Sequence, residues 1–379
     1  MPHIVRLPVE HEQILATLQV FFSRILQQTQ VDAMLAPVHL PMKHVVMPSL
    51  VADPGKMTGA DPLSPSFPMN SAKLVSRLTR RSGRGRFAVV LRPCEIRAFV
   101  ELVKLKQGRM DKVFIIGLDC LGAFSNTAYS KFAGECGRDA TTRFCNHVLF
   151  GGRDALDGFD LASACRCCEH FVPHGADLHI QLYGGNVRKE ILIRCESDQG
   201  SAMADALKLE EAADPQDRAM VVNDLLNVRK AARDRMYANT ATVVDSIEKL
   251  TRYLADCVNC FNCRVACPVC YCRECVFMTD VFDHDPDRYL GWAERKGMVK
   301  MPTDTVFYHL TRMAHMSTAC VGCGQCTNAC PNDIPVVELF RLVAHRTQVA
   351  FDYPAGKDVG DRPPLAEFRE SEYTEVVGL

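Results

Sequence analysis

Cys257, Cys260, Cys263 and Cys267 stand at C-x2-C-x2-C-x3-C spacing with Pro268 behind them, and the pattern returns as Cys320, Cys323, Cys326 and Cys330 before Pro331. Three thiolates around one short loop, with backbone N–H groups free to face inorganic sulfur, form the ligand pattern of a cubane [4Fe–4S] cluster. In two-cluster ferredoxins the fourth cysteine of each run crosses to the other cluster. On that scheme Cys257, Cys260 and Cys263 share one cluster with Cys330, and Cys320, Cys323 and Cys326 share the second with Cys267. A zinc site would use paired C-x2-C knuckles and would not need eight cysteines in this repeat. The chemistry expected is the transfer of single electrons.

Further thiols lie upstream. Cys165-Arg166-Cys167-Cys168 is a C-x2-C pair with an extra thiol inside it, and Cys94 and Cys120 each follow a short apolar run. The elements between them say whether the four can meet. Phe87–Leu91 and Val113–Gly117 read as buried strands, and the apolar spacing of Ile96, Phe99, Val100, Val103 and Leu105 within Glu95–Lys106 suits a covering helix. Strand, helix, strand is a βαβ unit with a parallel pair, and a right-handed crossover ends both strands at one sheet edge. Cys94 and Cys120 then sit on neighbouring loops where open α/β sheets bind ligands. With Cys165 and Cys168 they could hold a third cubane; Cys136 and Cys145 compete for the fourth place, and Cys195 reads as core. Cys270, Cys272 and Cys275, in the insertion between the ferredoxin runs, could ligate, replace a ligand or stay plain thiols. Three cysteines do not close a cube, so we read them as non-ligating.

The rest of the 379 residues supplies the frame. Ile14, Leu18, Phe21, Phe22, Ile25 and Leu26 repeat at helical spacing. His44–Val51 reads as a strand, Asp53–Phe67 as a proline-rich loop, and Ser71–Arg80 as a helix. Ala176–Tyr183 alternates and runs into Gly184-Gly185, and Leu192–Glu196 reads as a further strand. Glu196–Asp256 reads as two or three helices without a metal motif. The expected fold class is α/β: an α/β domain over 1–195 with a parallel βαβ unit, a helical linker over 196–256, a ferredoxin-like two-cluster module over 257–345 and an extended tail over 346–379.

Composition narrows the class. Hydrophobic content of 47% and charged content of 23% are ordinary for a globular chain, and a net charge of -1 argues against nucleic acid or an acidic membrane held by bulk charge. No apolar run is long enough to span a membrane, and Met1–Gln13 lacks a signal-peptide core. The expectation is a cytoplasmic protein, where thiols stay reduced and nineteen cysteines read as metal ligands or free thiols. Gly83-Arg84-Gly85 and Gly55-Lys56 lack nucleotide-loop spacing. His309 and His315 flank Arg312 before the second run and could tune a cluster from a nearby helix, but they read first as packed or exposed histidines. Arg80, Arg81, Arg84 and Arg86 form a basic run that could meet an anionic cofactor but reads first as a solvated face. Pro335–Ala344 is amphipathic and reads as core. There is no Ser-His-Asp or Cys-His arrangement with nucleophilic spacing, so no catalytic residue is expected.

Three segments, RPCEIRAFVEL (92–102), IIGLDC (115–120) and CRCCE…ADLHIQLYGGN (165–186), resemble the β-subunit family of deazaflavin-dependent hydrogenases and formate dehydrogenases. CVNCFNCRVACPVCYCREC (257–275), FYHLTRMAHM (307–316) and CVGCGQCTNACPNDIP (320–335) are similar to its formate dehydrogenase branch. The strand reads ADL where the family reads ADI, and the turn reads LYGGN where relatives often carry GNWG. The resemblance covers roughly 71–353. It implies FAD in the α/β domain beside a [4Fe–4S] cluster, with Arg92, Pro93, Glu95, Gly184, Gly185 and Asn186 as its neighbours by position. It also implies an electron-transfer subunit of an oxidoreductase, with formate or hydrogen chemistry on a partner chain and a deazaflavin coenzyme or a heterodisulfide-reductase-like subunit on the other side. A flavin would join pair transfer to single-electron transfer. Two other readings stand beside this one: a flavin-free adaptor wiring two redox enzymes, and a stand-alone flavin-dependent oxidoreductase.

Overall fold

The computed structural model describes residues 3–41, 44–80, 85–151, 156 and 158–366. Eight strands form one mixed sheet: β1 (His3–Pro8), β2 (Ala33–His39), β3 (Val46–Val51), β4 (Phe87–Leu91), β5 (Val113–Leu118), β6 (Leu178–Gln181), β7 (Glu190–Cys195) and β8 (Glu210–Ala212), in the order β3-β2-β4-β5-β6-β7-β1-β8. The centre is parallel. β2 pairs with β4, β4 with β5 and β5 with β6, in registers such as Val89↔Ile115 and Gly117↔His179. The edges turn antiparallel through β3, β7, β1 and β8.

Period-two alternation sends the central strands to both faces. Ala88, Val90, Ile116 and Leu118 pack on one side with the Ile14–Leu26 helix, which buries all six of its apolar-stripe residues. Val89, Leu91 and Ile115 pack on the other with Ile96, Phe99 and Val100 of the Pro93–Lys104 helix. That second core does not stop at the helix layer. It runs on into Met313, Val321, Ile334 and Phe340, so the C-terminal module is packed onto the sheet's second face by one continuous apolar cluster.

The βαβ unit forms as its sequence pattern predicts, with the helix starting two residues earlier. Pro93 occupies the first helical position, where its missing N–H costs nothing, and the Glu95 carboxylate accepts the Arg92 backbone N–H at 2.8 Å. The stretch read as helices from Glu196 holds a short strand as well: β8 extends the sheet beside β1 before the long helix Arg218–Val243 begins. β8 is short and polar, so nothing in its side chains announced it. The start of the tail wraps the molecule itself. Tyr353 donates its hydroxyl hydrogen to buried Glu101, Gly356 N–H does the same at 2.6 Å, and Arg97 reaches the Ala355 carbonyl at 2.7 Å. Residues 367–379, Arg81, Gly83 and Arg84 lie outside the described residues. Among the described residues no helix is long and apolar enough to cross a membrane.

Candidate iron–sulfur centres

The parallel pair β4/β5 delivers Cys94, at the helix N-terminus after β4, and Cys120, just past β5, to one sheet edge. The short helix Ser163–Arg166 brings Cys165 and then Cys168 to the same place. All four thiols line one cavity of about 400 Å³, here called site C. Cys136 and Cys145, the rivals for the fourth place, do not line it. Cys145 is buried in the opposite core beside Phe144, and Cys136 accepts from Arg143 at 3.4 Å. Cys195 is wholly buried in β7.

Two guanidiniums serve this site. Arg92 donates to the carbonyls of Ser64 (2.7 Å), Ser66 (2.8 Å) and Gly122 (3.5 Å), and so pins two loops to the edge. Arg229, from the Arg218–Val243 helix, reaches the Cys168 carbonyl at 3.4 Å and lies 4.4 Å above the Phe171 ring. Burial pushes Cys94 and Cys120 up and takes Cys165 to about 12, while the charge of Arg92 opposes the rise at Cys120 and Cys165. Thiols so desolvated are poor nucleophiles at neutral pH. Beside fixed cations they suit a ligand that brings its own positive charge to the sulfurs. Below them Asp119 accepts from both Arg218 (2.6 and 2.9 Å) and His179 (2.9 Å). Burial pushes its carboxyl up, but these hydrogen bonds outweigh that and hold it at about 2.

A second cavity, of about 330 Å³, is site A. Its walls include Cys257, Cys260 and Cys263 of the first run together with Cys330 of the second, the crossed pattern expected from the spacing. Cys267, Cys320, Cys323 and Cys326 make the complementary set, site B, all facing close enough that charge on one opposes ionisation of another, with burial the larger cause of their raised thiols. B sits between the others. Cys326 is within electrostatic range of Cys263 of A, Cys94 of C is within range of Cys323, and Cys323 also lines the C cavity. The approach is close because Gly324, at φ +80°, has no side chain: a Cβ there would fall 2.6 Å from that of Ala164. Among the described residues no three His, Cys, Asp or Glu side chains close tightly around a single metal ion; the thiols surround hollows.

The helix Thr305–Met316 divides its two histidines. His309 is buried with Nε2 3.4 Å from Cys257 Sγ, and burial lowers its pKa to about 4, so the ring is neutral; His315 is exposed. Sequence reasoning found this helix through its histidines, but the sharper contact is Arg312, whose Nη1–H donates to Cys263 Sγ at 3.0 Å. It missed Arg229 altogether, because an arginine in a polar helix carries no local signal. The insertion cysteines scatter: Cys270 lies near Cys267, Cys272 is exposed, and Cys275 packs against the aromatic cluster of Phe277 and Tyr308.

The six residues considered for flavin contact do not gather. Arg92 and Pro93 line cavity C, but Glu95 is spent on the helix cap and on the Ser71 N–H at 2.8 Å. Gly184 is pressed against the next helix, where a Cβ would fall 2.2 Å from Arg218 Cα, and Gly185 and Asn186 do not line cavity C. Of the basic run, Arg80 bonds Gln107 and Arg86 bonds the Thr29 carbonyl.

Residues 85–216, which carry Cys94, Cys120, Cys165 and Cys168, match the family described as the C terminus of the beta subunit of coenzyme F420 hydrogenase/dehydrogenase. The chain is 26% identical over 365 residues to the F420-dependent formate dehydrogenase subunit beta of Methanocaldococcus jannaschii, covering 91% of this chain and 92% of that one. Over 85–216 the chain thus carries the domain of that beta-subunit family. It is also 27% identical to the F420-dependent formate dehydrogenase 1 subunit beta of Methanococcus maripaludis, over 74% of this chain and 75% of that one. Residues 253–334 match the 4Fe-4S dicluster domain, which makes the C-terminal module an iron–sulfur module. A chain of the F420-reducing [NiFe] hydrogenase complex from Methanosarcina barkeri aligns at TM-score 0.46 and 13% identity, over 65% of this chain and 94% of that one.

Proposed function

We propose that this chain is the electron-transfer beta subunit of a formate dehydrogenase or hydrogenase complex, linking a catalytic partner subunit to a deazaflavin coenzyme through [4Fe–4S] clusters at A, B and C. The observation that carries the reading is the file of thiol sets: A and C at the two ends, B between them, with Cys323 of B in the wall of C. Clusters bound there supply one-electron redox chemistry. The chain's own residues do the rest. Twelve cysteines supply ligands, Arg92, Arg229 and Arg312 place positive charge beside them, and the continuous apolar core keeps water from the space between B and the sheet. Site A is the proposed donor end, because Cys260 is exposed there. Site C, at the ligand-binding edge of the sheet, is the acceptor end.

FAD, implied by the family resemblance, is part of the proposal as a group beside C, and no step of this route passes through it. That the six residues considered for it do not enclose one cavity favours a second reading, a flavin-free adaptor joining two redox partners. Anaerobic purification with its partners, followed by counts of iron, sulfide and acid-released flavin, tests both. About twelve irons per chain are expected from three cubanes. About eight would remove C, an iron-free folded chain would overturn the proposal, and twelve irons without flavin would select the adaptor.

A further inference from the structure

Arg312 is an unusual cation. Its side chain is buried between the rings of Tyr308 (5.5 Å) and Phe340 (4.6 Å), and none of the described carboxylates pairs with it. Nη1 donates to Cys263 Sγ at 3.0 Å, Nη2 donates to the Cys263 carbonyl at 3.1 Å, and buried Nε has no hydrogen-bond partner among the described residues. A buried charge needs a counter-charge, and the groups near this one that can be negative are Cys263 first, then the Tyr308 phenol, Cys267 and Cys326; burial pushes the Tyr308 hydroxyl up and keeps it neutral, which leaves the thiolates. The other ends of the file are arranged differently. At C, Arg92 and Arg229 donate to backbone carbonyls rather than to sulfur. Among the described residues, direct side-chain N–H or O–H contact with a site thiol is confined to A, where the Tyr308 hydroxyl also stands 3.5 Å from Cys263 Sγ.

We infer that Arg312 raises the reduction potential of the cluster held at A above the value its thiols alone would set. The inference rests on the cluster assignment above. One-electron reduction adds one negative charge to the iron–sulfur cage and its thiolates and breaks no bond. A fixed cation and an N–H···S bond both favour that added charge. Arg312 is a positioning and tuning residue that acts through Cys263, and it transfers no electron itself.

The test is an EPR-monitored redox titration of the complete protein with dithionite as reductant, the signal of A being assigned by its loss in Cys260→Ser. Arg312→Gln is expected to lower the reduced-to-oxidised ratio of A at least tenfold at a fixed ambient potential, equivalent to about 59 mV for one electron. The signals of B and C should move less. Arg312→Lys, which keeps the charge without the fork, is expected to recover part of the loss. If the Gln variant fails to load iron, the Lys variant carries the test, with a shift beyond twofold in the same direction supporting the inference. Potentials of A within twofold of the parent in every iron-loaded variant would overturn it while leaving the cluster assignment standing. A parent protein without [4Fe–4S] signals would instead overturn the assignment, and this inference with it.

Discussion

Site A takes Cys257, Cys260 and Cys263 from one short segment and closes with a single distant residue, Cys330, whereas site C draws Cys94, Cys120, Cys165 and Cys168 from three separate segments at the sheet edge. Both cavities are lined by four thiols, and the means of gathering them differ. At A the chain's local path holds three thiols within a few residues of one another, and an adjacent helix adds direct contacts to sulfur. At C no local path joins the segments, so a charged network does: Arg92 ties Ser64, Ser66 and Gly122 to the strand end, and Asp119 ties β5 to β6 through His179 and to the long helix through Arg218. A locally held site survives perturbation of the sheet, and a convergent one should not.

The sharpest way to break that contrast is Asp119→Asn. It leaves Arg218 buried without its anion, which costs about 3–5 kcal/mol when one partner of a buried pair is removed. Urea unfolding should show the loss, and EPR should show C depleted before A; equal depletion of both would erase the distinction. Next in size is Arg92→Met. It strands the carbonyls of Ser64 and Ser66, at about 1–3 kcal/mol for each buried group left unsatisfied. Iron analysis should fall by about four per chain, with the A signal retained. Gly324→Ala is milder. The positive φ costs about 1–2 kcal/mol, and the clash with Ala164 should push B and C apart, read as weaker magnetic coupling between their reduced clusters at unchanged iron content. Unchanged coupling would mean that the loop yields without moving the thiols. The smallest effect belongs to Cys272→Ser: iron content and EPR should match the parent, and a loss of iron would return the insertion cysteines to the ligand set.

Much of the thiol arrangement was legible because the cysteines stand at fixed intervals in sequence. The doubled run leads to the expectation of crossed sets, and Cys330 lines cavity A beside Cys257, Cys260 and Cys263. The βαβ pattern by itself puts Cys94 and Cys120 at one edge, since parallel neighbours must end together. The positioning arginines were not legible. Arg229 and Arg312 lie on helices whose partners are far along the chain, and a buried arginine reads in sequence like a solvated one. β8 was missed for a related reason: a short polar edge strand is defined by its pairing with β1 and carries no pattern of its own. The glycine turn after β6 misled in the opposite sense. Gly184 signals close approach, but the approaching group is the backbone of Arg218.

The two spaced cysteine runs and the parallel strand pair that brings Cys94 and Cys120 to one edge were set by residue spacing, because cysteine intervals and strand periodicity are properties of the chain's local path. Tertiary structure alone decided that B lies between A and C, that Cys136 and Cys145 stay out of C, and which arginines stand beside sulfur. Those outcomes depend on how the dicluster module docks on the second face of the sheet, where Val321, Ile334 and Phe340 join Ile96 and Phe99 in one apolar cluster drawn from segments far apart in the chain.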